Sequence, residues 1–291
     1  MEDSQEKLLA ALVIDGSIND ESFNQGAWSG VGYKLEDETY RQAKLNPSTW
    51  FASLDVVKAQ QDVENLLCVD FKVEQAAFLA GYIAAKMSKT GKIGFVGGIE
   101  GEIVGRFDYG YQAGALYADK DIEIINQYAQ SFFDVSKGRG IAELMLQKGV
   151  DVIFHAAGPT GRGMIECVRE KQIENEKKGL PGHVWAIGVD IDEYKLAPEV
   201  VLTSVVKRVD NAAYSILEEV KNKSFKGGCT LTLGLEGEYV GLSATTPVHV
   251  PSQLLIRTDK LKEEILKGNI DVPKDEQGLE LFKEKAQEST F

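Results

Sequence analysis

Short apolar runs alternate with amphipathic segments along most of the chain, and this alternation constrains the fold more than any other feature. Leu66–Phe71, Lys92–Val96 and Val150–His155 are apolar runs of strand length. Between the first two, Glu74–Ser88 repeats its apolar residues at a near-helical interval. Strands separated by helices form parallel sheets through βαβ crossovers. The sequence therefore predicts an α/β protein built on parallel sheets.

The same alternation continues in both directions along the chain. The other predicted strands are Leu8–Ile14, Ile122–Tyr128, Val184–Val189 and Val200–Val205. The other predicted helices are Val104–Tyr117, Gly138–Lys148, Gly163–Lys171, Asn211–Lys223 and Leu254–Leu266. Thr230–Leu242 predicts an antiparallel hairpin that turns at Glu236-Gly237. No strand–helix unit is recognisable between Tyr33 and Leu66.

The chain has 291 residues, which suffices for two ordinary domains. Both halves have the α/β pattern and no Pro/Ser-rich linker separates them, so we expect the chain to cross between domains more than once. We predict one lobe from residues 1–118 and 245–291 and a second from 119–244. Ligands of open parallel sheets bind beyond the carboxyl ends of the strands. Residues that directly follow strands are therefore the candidate site.

Charge and cysteine usage exclude several classes of protein. A net charge of −13 argues against nucleic acid as a partner, because phosphate neutralisation needs a basic face. Cys68, Cys167 and Cys229 lack CxxC spacing, so we expect buried free thiols and no metal knuckle. Met1 leads directly into a polar segment, which indicates either a cytosolic protein or the removal of an export segment.

The loop after the first predicted strand is rich in short polar side chains. Asp15, Asn19, Asp20 and Asn24 suit either a turn that caps a helix or hydrogen bonding to a ligand. Phe23 in the same loop either packs in the core or stacks on a flat ligand. Both alternatives stay open at this point.

Further candidates follow later strands. Small residues at Ala157 and Gly158 allow a close approach of the backbone to a ligand, beside His155. Asp190 and Lys207 each follow a predicted strand and suit hydroxyl groups; the alternatives are an Asx turn or cap at Asp190 and a solvated side chain at Lys207. Asp108 is either a helix-dipole partner or a ligand acceptor.

Catalytic equipment is not recognisable in the sequence. It contains no HExxH, GxSxG or P-loop motif, and Gly97-Gly98 does not complete a GxGxxG fingerprint. A hydrolase with a metal held by Asp15, Asp20 and Asp190 is a minor alternative. The pattern favours a binding protein that is not an enzyme and needs no cofactor or metal.

Six segments resemble those of one family and occur in the same order along the chain. The family is the basic membrane protein (BMP) family, the PnrA-like purine nucleoside receptors of ABC transporters. The matching segments are DGSINDESFNQGAW (Asp15–Trp28), VDFKVEQAAFLAGYIAAKMSKTGKIGFVGG (Val69–Gly98), RFDYGYQAGA (Arg106–Ala115), VDVIFHAAGPTGRG (Val150–Gly163), AIGVDIDEY (Ala186–Tyr194) and TSVVKRVDNA (Thr203–Ala212). The resemblance covers most of the chain.

The resemblance implies a type I periplasmic-binding-protein fold, in which two Rossmann-like lobes with parallel sheets are joined by a multi-crossover hinge. It implies a purine nucleoside (adenosine, guanosine or inosine) enclosed between the lobes, an ABC permease as partner, and a lipid-anchored protein at the cell surface or in the periplasm. A ligand-sensing regulatory protein on the same fold is the alternative.

The resemblance also implies roles for individual residues. Phe23 matches a base-stacking phenylalanine, in the same loop as Asn19, Asp20 and Asn24. Asp108 is similar to a carboxylate at the base edge, and Asp190 and Lys207 match positions expected to hold the ribose. The second stacking wall is expected from Phe132 or His155, with Phe132 preferred.

Overall fold

A computed structural model describes residues 33–56 and 63–288 of the chain. Its helices are α1 (Tyr33–Leu45), α2 (Val73–Met87), α3 (Glu102–Ala118), α4 (Val135–Gln147), α5 (Pro159–Lys177), α6 (Val209–Lys221), α7 (Ser252–Leu266) and α8 (Glu276–Glu288). Its strands are β1 (Phe51–Leu54), β2 (Leu66–Phe71), β3 (Lys92–Gly97), β4 (Glu123–Tyr128), β5 (Val152–Ala156), β6 (Trp185–Asp190), β7 (Val201–Lys207), β8 (Cys229–Leu233) and β9 (Val240–Leu242). Short 3₁₀ helices cover Glu193–Leu196, Glu236–Glu238 and Thr246–Val248.

The strands form two sheets. The larger has the order β4-β3-β5-β6-β7-β9, in which β4 through β7 pair in parallel and β9 pairs antiparallel to β7. The smaller has the order β1-β2-β8, with β1 and β2 parallel. The prediction of an α/β protein with parallel sheets is thus confirmed. None of the helices in the described ranges is long and apolar enough to cross a membrane.

The described chain divides into two compact units. The first comprises the described residues up to Asp70 together with Val209–Leu231, and the second comprises Phe71–Arg208 together with the described residues from Thr232 onward. The chain thus passes between the units three times. These boundaries differ from the suggested lobes 1–118 plus 245–291 and 119–244, because β3 pairs in register with β4 and β5 and keeps Lys92–Gly97 in the second unit.

The predicted hairpin at Thr230–Leu242 is wrong. Although Gly237 turns the chain in a left-handed conformation (φ 73°), β8 and β9 belong to different sheets. The Gly228 N–H donates to the Leu66 carbonyl, which ties the start of β8 to β2. β9 instead pairs with β7. Alternating apolar residues indicate a strand but not its partner, which tertiary packing selects.

The segment between Tyr33 and Leu66, in which no unit was recognised, contains α1 and β1. The prediction of buried thiols holds for Cys68 and Cys167 but is wrong for Cys229, which is exposed. β8 lies at one end of the three-strand order, so much of this strand faces solvent. The Cys229 thiol donates a hydrogen bond to the Lys226 carbonyl.

Two helix pairs pack closely in the second unit because glycines lie at their contacts. A Cβ at Gly81 of α2 would overlap the Tyr111 carbonyl of α3, and a Cβ at Gly114 would overlap the Phe78 carbonyl. Gly138 of α4 makes the same close approach to the Thr160 carbonyl of α5. These contacts fix the helices that follow β3, β4 and β5, and with them the loops at the carboxyl ends of those strands.

Candidate functional site

The carboxyl ends of five parallel strands meet at one edge of the six-stranded sheet. Since β4, β3, β5, β6 and β7 are parallel neighbours, the residues that end them lie along this edge. The Gly98 N–H donates to the Ala156 carbonyl (2.9 Å), which joins the loop after β3 to the end of β5. The edge is therefore where a ligand of this sheet is expected.

Asp190 and Lys207 form a buried ion pair at the ends of β6 and β7. The Lys207 Nζ lies 3.5 Å from the Asp190 Oδ1, and both side chains are almost completely excluded from solvent. The same ammonium is 5.9 Å from the centroid of the Phe107 ring, within the range of a cation–π contact. Asp190 has a left-handed backbone (φ 64°), which is uncommon for a residue other than glycine. Strained backbone and buried charges together are typical of functional sites.

His155 on β5 is paired with Glu193, a residue that the sequence analysis missed. The distance from His155 Nε2 to Glu193 Oε2 is 2.8 Å, and both side chains are buried. The same carboxylate oxygen accepts the Val189 N–H (3.0 Å), and the Glu193 N–H donates to the Ser204 Oγ (3.1 Å). These bonds hold the turn at Asp190 in place. The acidic segment Asp190–Glu193 directly after a strand was the signal available in the sequence.

The remaining ring nitrogen of His155, Nδ1, is buried and has no hydrogen-bond partner among the described residues. A Cβ at Gly161 would overlap this ring, so glycine is required where α5 passes it. Since the ring is fully buried, the arrangement favours a role for His155 in positioning the loop after β6.

Asp108 lies on α3 and accepts hydrogen bonds from three neutral side chains. Its Oδ1 accepts from Gln112 Nε2 (2.8 Å) and Asn126 Nδ2 (2.7 Å), and its Oδ2 accepts from Tyr128 Oη (2.9 Å). Burial raises the pKa of Asp108 to about 6, and the hydrogen bonds from Gln112 and Tyr128 and the charge of Lys283 only partly oppose the shift. Burial and the nearby carboxylate likewise raise the pKa of Tyr128. Asp108 was recognisable as a candidate from the sequence, but its three hydrogen-bond partners were not.

Phe132 is buried in the loop after β4. Its ring occupies the space that a side chain at Gly98 would fill and lies beside Gly158, and its carbonyl accepts the Thr160 N–H (2.9 Å). Ala157 and Gly158 are also buried, and Gly158 has a left-handed backbone (φ 51°). The structure thus places Phe132 and the loop after β5 in contact at the carboxyl edge.

The other predicted site residues, Asp15, Asn19, Asp20, Phe23 and Asn24, lie outside the described residues. Two of the three carboxylates of the alternative metal site, Asp15 and Asp20, are therefore also outside the described residues. Within the ranges that the structure describes, no group of three or more His, Cys, Asp or Glu side chains could hold a metal ion.

Comparisons with known proteins give one consistent family. The family model for PnrA-like ABC transporter substrate-binding proteins (Bmp) matches residues 29–276. Basic membrane protein B of Borrelia garinii is 41% identical over 256 residues, which cover 87% of this chain and 70% of that protein. Basic membrane protein A of Borreliella burgdorferi is 36% identical over 313 residues, covering 94% and 89% of the two chains.

Solved structures share the fold. An ABC transporter solute-binding protein from Aeropyrum pernix K1 has a TM-score of 0.70 at 25% identity, covering 86% of this chain and 79% of that one. A solute-binding protein from Conexibacter woesei has a TM-score of 0.66 at 22% identity, covering 82% and 76%. The predicted periplasmic-binding-protein architecture is thus confirmed at the level of fold.

Proposed function

The chain belongs to the family of PnrA-like ABC transporter substrate-binding proteins, and on that premise we propose that it binds a purine nucleoside and delivers it to an ABC permease. The family and the names of the relatives indicate a binding protein rather than an enzyme. A permease and a small-molecule ligand follow from membership of the family. The nucleoside itself is our proposal.

The observation that carries the proposal is the Asp190–Lys207 pair. A ribose presents vicinal hydroxyl groups, each of which both donates and accepts a hydrogen bond. The Asp190 carboxylate accepts from hydroxyls while the Lys207 ammonium donates to them, so an ion pair at adjacent strand ends matches a diol.

We propose Asp108 as the acceptor for the edge of the base. An ionised carboxylate has about four lone-pair sites, and three of those on Asp108 receive neutral donors. One site remains for an N–H of a purine. In this proposal Phe23 stacks on the base, and Asp15, Asn19, Asp20 and Asn24 supply further polar contacts.

Isothermal titration tests this proposal. Protein that has been unfolded and refolded, to remove any bound ligand, is titrated with adenosine, guanosine, inosine, cytidine and ribose. We expect purine nucleosides to bind and ribose alone to give no signal. If the folded protein binds none of the five compounds, the proposal is wrong.

A variant of the pair tests the role proposed for Asp190 in binding the ribose. Asp190→Asn removes a charged acceptor but retains a residue that tolerates the left-handed backbone. Loss of a hydrogen bond to a charged group should weaken adenosine binding about tenfold or more, and 2′-deoxyadenosine less. Asp259→Asn, at an exposed position on α7, is the matched control. Equal effects of the two variants would contradict the role of Asp190.

We further propose that the protein is lipid-anchored at the cell surface or in the periplasm, as expected for a receptor that serves a permease. Partition of the product of the native gene into a detergent phase would test the anchor. Recovery of that product entirely in the aqueous phase would exclude it.

A further inference from the structure

The turn that carries Asp190 at the end of β6 is strained. The Ile191 N–H donates to the Val189 carbonyl (2.7 Å), so Asp190 is the central residue of a three-residue turn. With φ at 64°, this turn has the uncommon, strained form of the γ-turn. A strained backbone persists only where neighbouring groups hold it, so the contacts around the turn decide where the Asp190 carboxylate lies.

The Glu193 carboxylate holds the strand immediately before this turn. Its Oε2 accepts the Val189 N–H (3.0 Å) and lies 2.8 Å from the His155 Nε2. Gly188 leaves the space that the carboxylate needs, since a Cβ there would overlap Oε2. The Glu193 side chain is thus bonded both to the residue before Asp190 and to a ring on β5.

The contacts of His155 show which atom carries the proton of that bond. At 2.8 Å, either the ring Nε2 or the Glu193 Oε2 must carry it. If the carboxyl group donated, the neutral ring would hold its own proton at Nδ1, which is buried and has no partner among the described residues. A proton on Nε2 avoids a buried donor without an acceptor. The contacts therefore assign the proton to Nε2, and the Glu193 oxygen is the acceptor in both of its bonds.

A bond of the same kind lies at the opposite end of β6. Gln172 on α5 is buried, and its Oε1 accepts the N–H of Val184 (3.1 Å), the residue directly before the strand. Gln172 and Glu193 each supply a side-chain oxygen to a buried backbone N–H of this strand region. They differ in place, because Glu193 does so beside the Asp190 turn and Gln172 does so at the amino edge.

We infer that Glu193 is a positioning residue of the ligand site, whose bond to the Val189 N–H holds the Asp190 carboxylate where it meets the ligand. The inference rests on the proposed nucleoside function and adds a residue that sets affinity without touching the ligand. The turn places Asp190 Oδ1 3.5 Å from the Lys207 Nζ. Without its acceptor at Val189, the strained turn relaxes and carries the carboxylate away from hydroxyls that Lys207 also binds.

Titration of adenosine into variants of Glu193 tests the inference. Glu193→Leu removes the acceptor at similar volume, and affinity should fall about tenfold or more, as for loss of a hydrogen bond to a charged group. Glu193→Asp keeps the charge but draws the oxygen back from the Val189 N–H, so it should weaken binding as well and serves if the leucine variant does not fold. Glu193→Gln keeps an oxygen that accepts both N–H donors, so affinity should stay within about threefold of the wild type.

Gln172→Leu is the matched control, because it removes the equivalent bond at the amino edge. It should lower the melting temperature as Glu193→Leu does, yet leave adenosine affinity unchanged. An equal loss of affinity in Gln172→Leu would show that Glu193 acts only through general stability and would overturn the inference.

A double-variant cycle adds a readout that a purely structural role would not move. In protein that already carries Asp190→Asn, Glu193→Leu should weaken adenosine binding by less than about threefold, because the carboxylate that it positions is gone. Equal effects of Glu193→Leu in the two backgrounds would contradict positioning through Asp190.

A long-range nitrogen–proton spectrum of the histidine rings examines the bond without any nucleoside. The His155 ring of the wild type should carry a proton on Nε2 that exchanges slowly with solvent, and Glu193→Leu should lose that protection. A wild-type ring with its proton on Nδ1 and none on Nε2 would overturn the assignment of Glu193 as a double acceptor.

The outcomes separate the inference from the function on which it rests. If the wild-type protein binds purine nucleosides and a folded Glu193→Leu or Glu193→Asp protein binds them equally well, only the role of Glu193 is overturned. If the wild-type protein binds no nucleoside, the proposed function fails, and the role of Glu193 at the ligand site fails with it.

Discussion

The two edges of the six-stranded sheet use buried polar groups in different ways. At the amino edge, Asp151 precedes β5 and its carboxylate accepts three hydrogen bonds from the segment before β3. It accepts from the Ser88 Oγ (2.6 Å), the Lys89 N–H (2.6 Å) and the Thr90 N–H (3.0 Å). These bonds close a turn and join two strands, as expected of a structural contact.

At the carboxyl edge, the buried polar groups carry unfavourable features instead. Asp190 has a left-handed backbone beside a buried ammonium, the pKa of Asp108 is raised to about 6, and the Nδ1 of His155 is buried without a partner among the described residues. Features that lower stability persist where they serve function. The comparison supports the carboxyl edge as the ligand site, and substitutions at both edges can test it.

Lys207→Met should give the largest effect, because it removes the ammonium from beside the buried Asp190 carboxylate. Breaking one partner of a buried pair lowers the free energy of unfolding by about 3–5 kcal/mol. Chemical denaturation of the variant measures this loss.

The double variant Asp190→Asn with Lys207→Met is the control for that experiment. Without either charge, it should regain most of the stability lost in Lys207→Met, yet it should not regain nucleoside binding. A double variant as unstable as the single one would show that the pair itself is not the cause.

Asp108→Asn should remove a pH dependence of stability. Because burial raises the pKa of Asp108 from 3.8 to about 6, the folded protein holds a proton that the unfolded chain has already lost. The resulting stability is fully present below the unfolded pKa and is lost as the pH rises through about 6, a difference of about 3 kcal/mol.

Urea denaturation of wild type and Asp108→Asn between pH 4 and pH 8 (roughly, the range that spans both pKa values) measures this difference. The wild type should lose stability relative to the variant as the pH rises. Parallel pH profiles for the two proteins would show that Asp108 does not cause the pH dependence of stability. Asp108 would then no longer distinguish the carboxyl edge from the amino edge.

Local pattern predicted the positions of the strands and therefore which residues end them. Asp190 and Lys207 could be placed at one edge because parallel neighbours bring their carboxyl ends together. The bond between His155 and Glu193 joins residues 38 apart, and those from Asn126 and Tyr128 to Asp108 span 18 and 20 residues. No local pattern encodes such contacts, since they depend on how helices and strands pack.

The same limit applies to the loop after β4, in which Phe132 is buried and Phe133 is exposed, and to the hairpin that was wrongly predicted. Periodicity cannot tell which of Phe132 and Phe133 is buried, because the loop is irregular and Gly98, where the Phe132 ring packs, follows a different strand. It also cannot tell which strand β9 joins, since the pairing with β7 is a tertiary contact.

Asp151→Ala tests the amino edge and should be destabilising without affecting ligand binding. It leaves the N–H groups of Lys89 and Thr90 without the charged acceptor of two partly buried hydrogen bonds, a loss of about 2 kcal/mol. Denaturation and nucleoside titration of the same preparation measure both quantities. Weaker binding by a folded Asp151→Ala protein would contradict the division between a structural and a functional edge.

The smallest effect is expected where two imidazoles pack on Trp185 at the amino edge. The centroids of His183 and Trp185 are 3.8 Å apart, those of Trp185 and His249 are 4.9 Å apart, and His183 Nε2 lies 3.0 Å from the Glu199 carbonyl. His183→Leu removes one stacked ring and its hydrogen bond and should lower stability by about 1 kcal/mol.

This contact should respond to pH in the opposite direction to Asp108. Burial lowers the pKa of His183, so the stability that its neutral form contributes is present above the unfolded pKa and is lost as the pH falls through the folded value. His183→Leu should therefore be less stable than the wild type by a larger margin at neutral pH than in acid. Asp108→Asn should instead become more stable relative to the wild type as the pH rises to neutral and alkaline values. Denaturation of both variants across the same pH series checks this opposition, and a His183→Leu penalty that grows in acid would contradict it.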